Sequence, residues 1–73
     1  MQKEEALKRL ASRIKELRKA KGYTNYEHFA FDHGIARAQY GKYEKGDNDL
    51  RFSSLMKVIE ALGVTPEEFF KGF

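Results

Sequence analysis

Apolar residues near the start of the chain recur three or four positions apart: Leu7, Leu10, Ile14 and Leu17, with Ala6 and Ala11 beside them and charges on the other faces. That period predicts an amphipathic helix over about Lys3–Ala20. Gly22 stands where a left-handed cap closes such a helix, and Lys19 and Lys21 suit its negative end. Next, Thr24-x-x-Glu27 is a capping-box signature, so a second helix begins near Thr24 or Asn25 and ends at Gly34. Phe29, Ala30 and His33 form its expected inner side. The aromatic run YEHFAF also reads as a strand, but the cap before it and the lack of any partner strand favour a helix.

Gly34 makes a turn and Ile35 plugs the corner. A third helix is predicted over Ala36–Lys45, stopped by Gly46 and followed by the polar loop DNDL. A fourth covers Phe52–Leu62, with Phe52, Leu55, Met56, Ile59 and Leu62 on one face and Gly63 after its end. Thr65-Pro66-x-Glu68 is a strong start signal, with threonine as cap and proline at the first helical position. It opens a last short helix over about Pro66–Lys71 that carries Phe69 and Phe70. The expectation is an all-α, compact five-helix domain over residues 1–73, with a helix-turn-helix at about 24–45.

Composition narrows the function. The 73 residues make one domain with a net charge of +3 and no cysteine, so disulfides and thiolate metal sites are absent. Only two histidines remain as soft ligands, and no metal or cofactor is expected. No apolar run approaches a membrane span and MQKEEALKRL lacks a signal-peptide core, which suggests a cytoplasmic, nucleoid-associated protein without membrane contact. Residues 1–24 hold eight Lys/Arg against three acids, whereas residues 25–49 hold three against five. The basic first helix suits nucleic acid, or is a solvated face. No Ser/His/Asp, Cys/His or phosphate-loop arrangement appears, so an enzyme is not expected.

The third helix is short, poor in aliphatic residues and preceded by a glycine turn. Its ordered neighbours carry a pattern: Ile14, Leu17, Arg18, Gly22, Tyr23 and Thr24; then Phe29, Ala30, Gly34 and Ile35; then Tyr43, Glu44 and Gly46; then Leu55, Ala61, Leu62, Gly63, Val64 and Thr65, and finally Phe69 and Phe70. Over roughly residues 10–70 the set resembles the Cro/cI-type (XRE-like) helix-turn-helix family, whose fold is lambda-repressor-like. The resemblance implies sequence-specific binding of double-stranded DNA by a small prokaryotic or phage transcriptional regulator, with the helix at about 36–45 in the major groove, and a homodimer.

Carried over by position, the resemblance implies base contacts from Ala36, Arg37, Ala38 and Lys42. Phosphate contacts fall to Asn25, Tyr26, Gln39, Arg51 and Ser53. Arg18 and Glu44 match a structural ion pair, and Ile35, Tyr40 and Tyr43 match positions that fill the space between helices. Phe69, Phe70 and Phe73 form the expected dimer surface; Leu7 offers a second face or simply an overlong helix. Gly41 admits two readings, a close approach to DNA or to a neighbouring helix, or tolerated wear in a marginal helix.

The chain departs from the pattern in three places. One extra residue lies between Gly22 and Phe29, His33 and Tyr40 replace aliphatics, and Asp47 and Asp49 stand where relatives carry basic residues. The acidic loop supports an alternative: a protein-interaction module, antitoxin-like or an adaptor, with weak or no DNA binding. A protein partner such as a toxin or polymerase fits either reading.

Overall fold

The computed structural model describes residues 2–73, which form α1 (Lys3–Ala20), α2 (Tyr26–Asp32), α3 (Arg37–Lys45), α4 (Phe52–Leu62) and α5 (Pro66–Phe69), with no strand among them. Helix α1 buries Leu10, Ala11, Ile14 and Arg18 along one stripe, and its polar faces stay in solvent. Among the described residues no helix is long and apolar enough to cross a membrane.

The start of α2 resolves the alternative between Thr24 and Asn25. Asn25 is the cap: its Oδ1 accepts from the Glu27 and His28 N–H groups at 2.7 and 3.3 Å. The Thr24–Glu27 capping box does not form, because the Glu27 N–H is taken by Asn25 and Thr24 lies one position before the cap. Phe29 and Ala30 are fully buried where α2 meets α3. His33 sits at the core edge, with Nδ1 2.9 Å from the Phe29 carbonyl. Gly34, at φ 67°, reverses the chain, and the Ile35 N–H returns to the Ala30 carbonyl at 2.9 Å.

Helix α3 begins at Arg37, one residue later than expected, with Ala36 as its cap. It turns Tyr40 and Tyr43 inward, and Gly46 ends it at φ 80°. A Cβ on Gly46 would lie 3.2 Å from both the Lys8 Cα and the Ala11 Cβ. So the early turns of α1 run against the end of α3, while the Leu7 side chain stays only partly buried.

Helix α4 corrects the expected face. Val58, Ile59 and Leu62 are buried, Leu55 and Met56 pack at the margin, and Phe52 is 74% exposed. Phe52 is the first residue of α4, flanked by exposed Arg51 and Ser53, so this turn projects past the core. Helix α5 ends at Phe69 rather than Lys71. Arg13 of α1 takes the last carbonyls, donating from Nη2 to the Glu68 O at 2.7 Å and from Nε to the Phe69 O at 2.8 Å.

Phe69 is the largest correction here. Expected on a dimer surface, it is 0% exposed and closes the core formed by Ile14, Phe29, Tyr40, Val58, Ile59 and Leu62. A chain this short exposes much of its surface, and burial of one such ring stabilises it by about 2–3 kcal/mol. Phe70 and Phe73 stay about two-fifths exposed and pack edge-on against each other, with the Arg9 guanidinium 5.3 Å from the Phe73 ring centre.

Tyr40 is fully buried, close enough to Arg18 and Glu44 to feel their charges, but among the described residues its hydroxyl has no hydrogen-bond partner. Burial pushes its phenol well above the usual tyrosine value, and the Glu44 carboxylate adds to the rise. A folded-state value above the unfolded one gives stabilisation that is complete below about pH 10 and is lost as pH rises further. Tyr40→Phe removes an unsatisfied group, so urea unfolding should show stability unchanged or raised at neutral pH and a shallower alkaline decline. Gly46→Ala should cost about 1–2 kcal/mol from the left-handed backbone alone, and more from the contact with α1; the same denaturation measurement checks it.

Candidate nucleic-acid interface

Two inward tyrosines mark which way α3 faces. With Tyr40 and Tyr43 in the core, Ala36, Arg37, Ala38, Gln39 and Lys42 are all exposed, and none of the described residues covers them. Ala38 and Lys42 are one turn apart and form the central outward row. Arg37 lies toward α2. Gln39 lies toward α4, where it lines a shallow hollow with Ala36, Tyr43, Ser54 and Lys57, and a second with Asp49 and Arg51.

The helix is held from behind by one guanidinium. Arg18 donates from Nη2 to Glu44 Oε1 at 2.8 Å and from Nε to Oε2 at 3.0 Å, and from Nη1 to the Tyr23 carbonyl at 2.8 Å. Its side chain is 4% exposed and that of Glu44 8%. The hydrogen bond to Glu44, and then its charge, raise the Arg18 pKa against the opposing effect of burial. The pair ties α1, the link into α2 and the last turn of α3 together. A two-point planar contact fixes angle as well as distance.

The expected phosphate group is dispersed around α3. Asn25 spends its Oδ1 on the cap of α2, so only its amide NH2 is available to an anion. The same cap occupies two N–H groups that would otherwise face a phosphate. Arg51 and Ser53 are exposed at the start of α4, and Arg51 makes no side-chain cap. The acidic loop is partly compensated: Lys3 Nζ lies 3.4 Å from Asp49 Oδ2, with both groups about two-thirds exposed, a weak pair.

Three features escape the sequence pattern. Ser54 and Lys57 flank Gln39, a placement that i, i+3 spacing on α4 hints at once the helix is oriented. Phe31 is 76% exposed near the end of α2, though its neighbours Phe29 and Ala30 are core. Gly41 lies under the Tyr26 ring. Nearby, the Tyr23 hydroxyl donates to Asp32 Oδ2 at 2.7 Å, and that hydrogen bond raises the Tyr23 pKa.

A family model described as helix-turn-helix matches residues 14–69. The chain is 38% identical over 60 residues to the SPbeta prophage-derived uncharacterized HTH-type transcriptional regulator YonR of Bacillus subtilis (strain 168). That alignment covers 82% of this chain and 55% of the relative, so the chain spans about half the length of the curated protein it matches. No solved structure matches significantly.

The buried pair is tested by comparing single and double substitutions. Glu44→Gln or Arg18→Met alone leaves a buried group without its partner and should cost about 3–5 kcal/mol. The double variant should recover much of that loss. Equal and additive losses in chemical denaturation would show that the two residues act independently.

Proposed function

Because the chain belongs to the helix-turn-helix family, we propose that it binds double-stranded DNA as a small transcriptional regulator, with α3 in the major groove. The observation that carries this reading is the outer side of α3: bare, bearing Arg37, Ala38 and Lys42, and clamped from behind by Arg18 and Glu44. A helix presents its first residues to base edges in this geometry. Arg37 has the fork to meet guanine at two points, Ala38 suits a thymine methyl, Ala36 allows close approach, and Lys42 reaches guanine or phosphate. Asn25, Gln39, Arg51 and Ser53 ring these residues and serve as phosphate contacts, which set position without reading sequence.

So small a domain reads few base pairs, and a homodimer doubles the site. The remaining candidate surface is Phe70 and Phe73 with Phe69 removed. The proposal gives the chain no catalytic role and places its work in the cytoplasm, on DNA. A second reading, a protein-interaction module with weak DNA binding and a toxin or polymerase as partner, draws support from Phe31, whose ring stands in solvent on α2, and from Asp47 and Asp49 beside the groove-facing helix.

Selection of bound duplexes from a random pool separates the two. The proposal expects an enriched motif with two related half-sites, and affinity that falls as salt rises; no binding to any duplex at low salt favours the second reading. Arg37→Ala should relax preference at one base pair by roughly 1–3 kcal/mol. Arg51→Ala should weaken all sequences alike and reduce the salt slope by about one. Sedimentation tests the dimer, with a monomer at high micromolar concentration counting against it.

A further inference from the structure

We propose that the Tyr26 hydroxyl belongs to the base-reading surface, standing where the side chain of residue 41 would otherwise stand. The resemblance gives Tyr26 a phosphate; the geometry points to this different role, which rests on the reading of α3 as the DNA-binding helix. Glycine weakens a helix interior, and Gly41 sits in the middle of α3. Its backbone does not require glycine: Gly22, Gly34, Gly46, Gly63 and Gly72 have positive φ, and Gly41 does not. What glycine provides is space for a neighbour to sit close. A Cβ on Gly41 would lie 3.0 Å from Cε1, 3.2 Å from the hydroxyl and 3.3 Å from Cζ of Tyr26.

Position 41 is one turn after Arg37 on the same row, between the outward Ala38–Lys42 row and the inward Tyr40. The phenol end of Tyr26, arriving from α2, therefore fills a gap in the row that begins with Arg37. Its ring lies nearly parallel to that of Tyr40, with centres 6.3 Å apart and planes 26° apart, and Tyr40 is itself immobilised in the core against Phe29. Tyr26 remains 38% exposed, and unlike the Tyr23 hydroxyl, which Asp32 holds, its own has no protein partner among the described residues. A rigid ring ending in a free hydroxyl, which both donates and accepts, suits the N7 or O6 edge of a purine or an exocyclic amine. The base pair it meets adjoins the one met by Arg37.

Tyr26→Phe keeps the ring and deletes only the hydroxyl. Duplex selection with this variant should lose preference at one base pair next to that of Arg37 by about fivefold, the share of one neutral hydrogen bond, with the salt slope unchanged. Gly41→Ala pushes the ring end aside and should blunt preference at the same base pair, with a melting temperature at or near that of the wild type. A loss that is uniform across all duplexes, with base preference intact, would return Tyr26 to the phosphate backbone and overturn the assignment, as would an unchanged selected motif. A wild-type chain without affinity for any duplex at low salt overturns the DNA-binding reading instead, and this assignment with it.

Discussion

The two-point contact between Arg18 and Glu44 is the constraint on which the candidate site depends. Helix α3 is short and marginal: it has no side-chain cap, a glycine at its centre and only two large residues facing inward. Isolated helices of that length do not persist in water. Tyr40 and Tyr43 supply its packing, but two aromatic side chains alone allow a helix to roll. The guanidinium of Arg18, fixed to Glu44 at one end of α3 and to the Tyr23 carbonyl between α1 and α2, removes that freedom. A buried ion pair is a weak source of net stability, because desolvation offsets its attraction. Here its value is orientation: it fixes which residues of α3 face outward.

The same economy runs through the rest of the domain. With so little core available, α1 does several tasks at once. Its stripe of Leu10 and Ile14 packs the centre, its first turns brace Gly46 at the end of α3, and Arg13 closes the carbonyl end of α5. The basic charge that composition assigns to the first helix is thus partly structural. Arg13 and Arg18 are committed inside the fold, and Arg9 donates to the Gly72 carbonyl at 3.0 Å. A count of positive residues overstates what remains for a nucleic acid.

Helix positions were legible in the sequence because period, caps and glycine punctuation agree there. Leu10, Ile14 and Leu62 lie where the spacing puts them, and Thr65 caps α5 as its motif requires. The failures fall where tertiary context decides. Phe52 continues the apolar row of α4 but lies at a helix start with nothing opposite, so it stands in solvent. Phe69 and Phe70 look alike in sequence, yet one is fully buried and the other is not, since a one-residue step rotates a side chain by more than a quarter turn. The Arg18–Glu44 pair came from a family pattern rather than from any local rule, because partners 26 positions apart leave no periodic trace. Gly41 stayed ambiguous for a related reason: the residue that needs its missing side chain lies on another helix.

The central claim is that the outer side of α3 is the surface that meets DNA. Amide chemical shifts of the isotope-labelled chain, followed while a duplex selected from a random pool is added, test it most directly. The account predicts that the largest changes gather at residues 36–42, with smaller ones at the starts of α2 and α4, and that they saturate together. Changes confined to α1 and the C-terminal segment, with residues 36–42 unmoved at saturation, would contradict it.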